Sequence, residues 1–430
     1  MPTAQILTIG DELLSGDTIN TNLAFLGERC RRLGLEVVRA LSVRDRIPEI
    51  VAALAAPVDV CLVSGGLGPT SDDLTAEAVA CAAGVPLVRD AASEAAIAAM
   101  FAARGRPMPE INKKQADLPA GCEVLPNPAG TAPGFAVALP AGSYVACMPG
   151  VPREMKQMMA EQVEPRLRQR FALPDIRRRV YRLVGRGESA VAEAVEPIVA
   201  AARARSPGLA AVYLHYRAAT PQVLLILEAL AGDGGARASE EELRSFDAPF
   251  QAALGEALYG IGEADLEARL LAACRQAGLT LATAESCTGG QVAARLTAVP
   301  GASDVFRGGV VAYANEVKAA LLGVPSDILE THGAVSEPVA RAMAEGARRT
   351  LGSDLAVAIT GIAGPGGGSP EKPVGTVDFA VADAESCSHK RVQLWGDRAQ
   401  IQHVAGVVAL KLVWDRLVAR GLAQVGELDA

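Results

Sequence analysis

Short apolar runs alternate along this chain with longer stretches whose apolar residues recur every three to four positions. In the first third the runs are AQILTIG (4–10), VDVCLVSGG (58–66) and SYVACMPG (143–150), each ending in glycine and each predicting a buried strand. DTINTNLAFLGERCRRLG, LTAEAVACAAG and VPREMKQMMAEQVEPRLRQRF carry helical spacing after them. Strand and helix in alternation, with glycine at the strand C-termini, predict a parallel, doubly wound α/β sheet whose sites lie at those strand ends.

The pattern changes after residue 170. RRRVYRLVG, the helical SAVAEAVEPIVAAARAR and the strand-like LAAVYLHYRA and PQVLLILEAL predict a small α+β domain, followed by the polar stretch AGDGGARASEEEL. Alternation then resumes with helix EADLEARLLAACRQAG, strand LTLATAE, helix GGQVAARLTA, strand GGVVAYAN, helix EPVARAMAEGARRTL and strand DLAVAIT. VGTVDFAVAD and SHKRVQLW read as two more strands, and QIQHVAGVVALKLVWDRLVARG as a closing helix. At 430 residues the chain exceeds what one core organises, and the expected division is 1–170, 171–257 and 258–430.

Half the residues are hydrophobic and only 4% aromatic, a usage suited to layers packed through alanine and valine. No apolar, uncharged run reaches the length of a membrane span, and MPTAQILTIGDELL meets acidic residues too early for a signal peptide. A soluble, cytoplasmic protein with no membrane partner is expected. Eight cysteines without a CxxC pair read as reduced core thiols, and four scattered histidines suggest no His-rich metal centre. A net charge of −8 disfavours nucleic acid as a partner. RLRQRFALPDIRRRVYR (166–182) is a local basic exception, read as a solvated helix end running into an edge strand.

Three loops are expected to converge in the first domain: GDELLSGDTINTN (10–22), SGGLGPTSDDLT (64–75) and NPAGTAPG (127–134). Gly65, Gly66 and Gly68 stand between strand and helix, where bare backbone lets N–H groups approach a phosphate. Asp72 and Asp73 fall at the start of that helix, either as caps or, with a divalent cation screening them from the phosphate, as ligands. Asp11, Glu12 and Asn20 would add oxygens from the neighbouring strand end, with turn chemistry as the competing reading.

The last domain raises a sharper question at LATAESCTGG (281–290). Ser286 follows a strand and precedes a helix, so its hydroxyl is either a helix cap or a nucleophile beside the N–H groups of Thr288, Gly289 and Gly290. The histidines are poorly placed to be its base. A lysine with a lowered pKa can serve, and GGVVAYANEVKAALLG delivers Tyr313 and then, from the following turn, Lys318. Cys287 has no evident partner and reads as a packed thiol. TGIAGPGGGSPEKPVGTV (360–377) lacks the Lys-Ser/Thr ending of a P-loop, so triphosphate binding is not supported; it either holds one phosphate or is a flexible connection.

IGDELLSGDTINTN, SGGLGPTSDDLTAEAVA, NPAGTAPG, PGVPREM, TAESCTGG, VPGASDVFRGGVVAYANEVKAALLGV, THGAVSEPVA and TGIAGPGGGSPEKPVGTV, in this order, resemble the competence/damage-inducible protein A (CinA) family over nearly the whole chain. The resemblance implies a molybdopterin-binding-like first domain, a KH-like α+β middle domain and a C-terminal α/β domain. It implies that the last domain deamidates nicotinamide mononucleotide to nicotinic acid mononucleotide and ammonia without a cofactor. The family's serine, tyrosine and lysine fall on Ser286, Tyr313 and Lys318. Backbone amides of Cys287 to Gly290 would then hold the oxyanion, and Gly361, Ala363 and Gly364 with Arg307 or Ser336 the substrate phosphate. Ser369 stands where many members carry threonine. For the first domain the resemblance implies an ADP-ribose pyrophosphatase giving AMP and ribose 5-phosphate. Gly65, Gly66, Gly68, Thr70, Asn127 and Gly130 would sit on phosphate, and Asp11, Glu12, Asn20, Asp72 and Asp73 on magnesium, manganese or cobalt, with a monovalent cation as a further candidate. Exposed apolar helices suggest a homodimer. The alternatives are a molybdopterin-binding enzyme of cofactor assembly and a non-catalytic partner in DNA uptake or recombination, the latter calling for salt-sensitive DNA binding near Arg177 to Arg179.

Overall fold

The computed structural model describes residues 1–174, 176–229 and 237–428. They fall into two compact units, Met1–Ile176 and Arg177–Ala430.

In the first unit the strands are β1 (Thr3–Ile9), β2 (Glu36–Val43), β3 (Val60–Ser64), β4 (Glu123–Leu125), β5 (Gly134–Ala138) and β6 (Tyr144–Met148), in sheet order β2-β1-β3-β6-β5-β4. Helices α1 (Asp11–Ser15), α2 (Thr21–Leu33), α3 (Thr75–Ala83) and α4 (Pro152–Met158) follow β1, β3 and β6. The four strands from β2 to β6 are parallel, whereas β5 and β4 are antiparallel. The sheet is therefore mixed, because the links on either side of β5 are too short for the dozen or more residues a parallel crossover needs. Alternate residues of the buried strands face two cores. Ile6, Leu62 and Ala146 meet Leu26 and Cys30 of α2 and Met155 of α4, while Leu7, Val63 and Val145 meet Ala78 and Val79 of α3. Both faces are covered, which is why these strands read as unbroken apolar runs.

The second unit contains two sheets. Antiparallel β7 (Arg177–Val184), β8 (Val212–Ala219), β9 (Gln222–Ala229) and β10 (Leu258–Ile261) lie in the order β8-β9-β7-β10, with α5 (Glu188–Arg203) packed against them through Val191, Val195 and Val199. The sheet takes β10 from beyond residue 257. Positions 231–236 of the polar stretch after β9 lie outside the described residues; at its end Ser239 and Glu242 form a reciprocal cap on a short helix. Arg178 pairs with Glu228 and Arg179 with Asp247 and Glu427, while Arg177 donates to the Ala238 carbonyl. These three arginines are engaged inside the unit.

The other sheet is built from α6 (Leu266–Ala277), β11 (Leu281–Glu285), α7 (Gln291–Thr297), β12 (Phe306–Val311), α8 (Asn315–Leu322), α9 (Glu337–Leu351), β13 (Leu355–Gly361), β14 (Thr376–Ala382), β15 (Cys387–Gln393) and α10 (Arg398–Ala419). Its order is β12-β11-β13-β14-β15, with the first three strands parallel and in register, so that Glu285, Val311 and Ile359 end level. Period-2 alternation sorts side chains by size. Leu281, Val357, Ile359, Val377 and Phe379 face α10, whereas Ala282, Ala284, Ala356, Ala358, Ala380 and Ala382 face α9. The alanine face lets α9 sit close to the sheet. A Cβ at Gly346 of α9 would overlap the Leu322 carbonyl, so glycine there admits the end of α8 against α9. That contact positions α8, which carries Lys318. Among the described residues no helix is long and apolar enough to cross a membrane.

Candidate active site

The three level strand ends of the second unit define the site. Ser286 lies just past β11, only 8% exposed, with its N–H donated to the Ile359 carbonyl of β13 at 2.9 Å. The question of whether it caps α7 is resolved by its neighbour. Buried Glu285 turns its carboxylate onto the start of α7, accepting from the N–H groups of Gly290 (3.0 Å), Val292 (3.1 Å) and Ala293 (2.8 Å). A negative charge on orphan amides at a helix N-terminus is favourable on both hydrogen-bond and dipole grounds. The Ser286 hydroxyl makes no hydrogen bond among the described residues.

The same turn narrows the amides open to an oxyanion. Gly290's N–H belongs to Glu285 and Gly289's donates to the Ser286 carbonyl at 3.2 Å. The Cys287 and Thr288 amides donate to no carbonyl or carboxylate among the described residues. Thr288 also holds a buried hydroxyl with no partner among the described residues, a group that ordered water or a bound molecule would satisfy.

Lys318 sits on the helix α8, not on a turn, because EVKAALL has helical apolar spacing after the Ala314 cap. It is 1% exposed, and its Nζ donates to the carbonyls of Ala312 (2.8 Å) and Tyr313 (3.1 Å). Ala312 in turn donates its N–H to the Glu285 carbonyl at 2.8 Å, which ties the lysine's acceptors to the strand end that bears Ser286. Burial pushes the Lys318 pKa below the ordinary lysine value, with Cys287 and Glu316 as the titratable groups that bear on it. A neutral amine has two N–H bonds and one lone pair. With both N–H groups on carbonyls, the lone pair is left for a third partner. The Cys287 thiol is pushed up to about 12 by burial and packs beside Gly361, where a Cβ would stand 3.1 Å from its sulfur. It is a poor nucleophile in that state.

Other residues named from sequence are distributed unevenly. The hydroxyl of Tyr313 accepts from Arg398 at 2.8 Å and reaches neither Ser286 nor Lys318 by a hydrogen bond. Ser336 is buried before α9 and donates to the Gly333 carbonyl. Gly364 offers its carbonyl to Arg398 at 2.9 Å, and Ala363 is core. Arg307 lies at the wrong end: it follows Phe306, which pairs with Leu281 at the start of β11, roughly 15 Å of strand from Ser286. Cations on the loops and helix beyond the strand C-termini include Arg398, bonded to the Gly364 carbonyl, and Lys372, whose Nζ bonds the His332 carbonyl. Gln402, one helical turn beyond Arg398, donates to the Cys287 carbonyl at 2.7 Å and seats α10 on the Ser286–Gly290 turn.

In the first unit a cavity of about 420 Å³ opens at the strand ends between Gly10, Glu12, Asp45, Gly65 to Gly68, Asp72 and Glu154. Gly65 has φ +110, and a Cβ there would overlap the Ile9 carbonyl. Several proposed phosphate donors are already taken, since the Gly65 amide bonds Met148 and those of Gly68 and Thr70 bond Asp73. The Thr70 hydroxyl also bonds Asp73. Asp72 and Asp73 precede the helix, which starts at Thr75. Asn127 is likewise engaged, accepting from the amides of Ala129 and Gly130 and donating to Glu154. Asn20 caps α2 through Leu23 and bonds Thr8 and Ser42. Asp45, absent from the sequence reading, joins Asp11, Glu12 and Asp72; burial first, and then these carboxylates, raise its pKa to about 6. Among the described residues no three His, Cys, Asp or Glu groups stand close enough to hold one metal. Of the oxygens named for a divalent ion, those of Asp73 and Asn20 are taken by loop and cap amides, while Glu12 and Asp72, with Asp45, line the cavity and would hold an ion together with oxygens of a bound pyrophosphate.

Two family models match the chain, one described as the CinA C-terminal domain over residues 263–417 and one as the probable molybdopterin binding domain over residues 5–169. A CinA-like protein of Gemmatimonas aurantiaca is 42% identical over 412 residues, 94% of each chain. A putative competence-damage inducible protein of Moorella thermoacetica is 41% identical over 425 residues, 97% of this chain and 99% of that one. Among solved structures, a CinA superfamily protein from Klebsiella pneumoniae is 36% identical and covers 36% of this chain and 96% of its own, with a TM-score of 0.35. Identity at this level over almost the full length of both chains means that the protein belongs to the CinA-like family, with a molybdopterin-binding-like domain ahead of a CinA C-terminal domain.

Proposed function

We propose that the C-terminal domain deamidates nicotinamide mononucleotide through an acyl-enzyme on Ser286. The observation that carries the reading is a nearly buried serine hydroxyl without a hydrogen bond, at a strand end whose Glu285 carbonyl anchors Ala312, one of the two residues whose carbonyls hold the buried Lys318 amine. Neutral Lys318 takes the Ser286 proton as Oγ bonds to the carboxamide carbon, and the Cys287 and Thr288 amides receive the oxyanion. Lys318 returns the proton to the amide nitrogen, the C–N bond breaks and ammonia leaves. Water then attacks the ester, gives a proton to Lys318 and releases nicotinic acid mononucleotide as Ser286 is reprotonated. Arg398, Lys372 and the 361–368 loop supply donors for the phosphate, with Ser336 beside them; Tyr313 orients through Arg398 and does not relay a proton.

The test is ammonia release from nicotinamide mononucleotide, with metals chelated, followed across pH. Because burial disfavours the Lys318 ammonium, its base form grows as pH rises through a pKa below the ordinary lysine value near 10.5. kcat/KM should rise with pH through that ionisation, and Lys318→Arg, which stays charged, should be inactive. A profile that falls over the same range would remove the lysine base.

For the first unit we propose cleavage of ADP-ribose at the acidic cavity, favoured by its size and by the convergence of Glu12, Asp45 and Asp72 on the glycine loop. AMP formation should be lost in EDTA and restored by magnesium, manganese or cobalt. Cleavage unaffected by EDTA would take the metal out of the reaction.

A further inference from the structure

We propose that Trp395 is a specificity-determining residue at the rim of the Ser286 site, where its indole stacks on the cationic pyridinium ring of the substrate; the proposal rests on the deamidase reading. The chain contains two tryptophans. Trp414 is 4% exposed within the core, whereas Trp395 is 80% exposed. Its exposure does not come from a loose backbone. On one side Leu394 is buried and donates its N–H to the Gly375 carbonyl at 2.8 Å. On the other, the Asp397 side chain caps α10 through the Gln400 amide at 2.8 Å. An indole held out to solvent on a fixed turn forgoes the large burial such a side chain usually gains.

Its neighbours in the chain say where it stands. Arg398, three residues on, bonds both the Gly364 carbonyl and the Tyr313 hydroxyl, and Gln402 bonds the Cys287 carbonyl. Three residues of chain span at most about 11 Å, so Trp395 stands at the edge of that cluster. Tyr313, 60% exposed, is a second aromatic face tied to it by Arg398. The glycosylated pyridine nitrogen of nicotinamide mononucleotide is permanently positive, and a cation over an aromatic face is best served by indole. The ring that carries the carboxamide to Ser286 thus has an aromatic partner at the mouth, while phosphate is left to Arg398 and Lys372.

The test uses the full chain. Nicotinamide mononucleotide titrated into the Ser286→Ala protein should quench tryptophan emission saturably. The same titration of Ser286→Ala/Trp395→Phe should leave Trp414 emission unchanged, and ribose 5-phosphate, which lacks the ring, should quench neither protein. In turnover, Trp395→Ala should raise KM about tenfold with kcat held within about twofold, and Trp395→Phe should recover most of the loss. An unchanged KM in Trp395→Ala, equal quenching by ribose 5-phosphate, or a changed association state in place of a changed KM overturns the inference. Quenching without ammonia release by the parent would sink the deamidase reading and keep ring recognition. Ammonia release with an unaltered Trp395→Ala KM would sink the inference alone, and absence of both would sink both.

Discussion

Ser286→Ala is expected to lower ammonia release from nicotinamide mononucleotide by about 10³-fold or more, Lys318→Met by a comparable factor, and the double variant by no more than the worse single one. Non-additivity follows from the proposed chemistry, since the lysine acts only by taking and returning the serine's proton. Without Ser286 the base has nothing to activate; without Lys318 the hydroxyl keeps its proton at neutral pH. Two independent binding residues would instead multiply their effects. Cys287→Ala should stay within a few-fold of the parent, because its thiol is held protonated by burial and packs beside Gly361. Folding of each variant is checked by the emission of Trp414, buried in the same unit.

Glu285→Ala should destabilise the second unit by about 3–5 kcal/mol and abolish turnover with it. The carboxylate is 1% exposed and holds three α7 amides. Alanine would leave the buried Val292 amide and the half-buried Gly290 and Ala293 amides without their acceptor. Glu285→Gln keeps an acceptor oxygen but loses the charge at the helix N-terminus, at a cost of about 1 kcal/mol. Urea unfolding followed by tryptophan emission reads this unit alone, because both tryptophans, Trp395 and Trp414, lie in it. Equal midpoints for parent and Glu285→Ala would show that the carboxylate does not hold the turn.

Much of this was legible in the amino-acid order, for identifiable reasons. Strands buried on both faces leave apolar runs, and LATAE and DLAVAIT were readable as buried strands without knowing which would pair. EVVRALSV was not read as a strand, since β2 is an edge with mostly exposed side chains. Register was invisible, so Arg307 was offered to a phosphate it cannot reach from the far end of β12. Arg398 escaped notice because it reaches Tyr313 across 85 positions of sequence. Asp73 and Asn20 were read as metal oxygens because residue type alone does not distinguish a ligand from a loop cap. Ser286 raised the same ambiguity in the opposite sense, and only its cap reading is answered, by Glu285 accepting from the α7 amides.

The central claim is a covalent bond to one oxygen. Rapid acid quenching during turnover of nicotinamide mononucleotide, followed by mass analysis of the peptide that carries both Ser286 and Cys287, tests it most directly. A nicotinate-mononucleotide ester on Ser286, absent in Ser286→Ala, is the expected result. An adduct on Cys287, or undiminished ammonia release from Ser286→Ala, would contradict it.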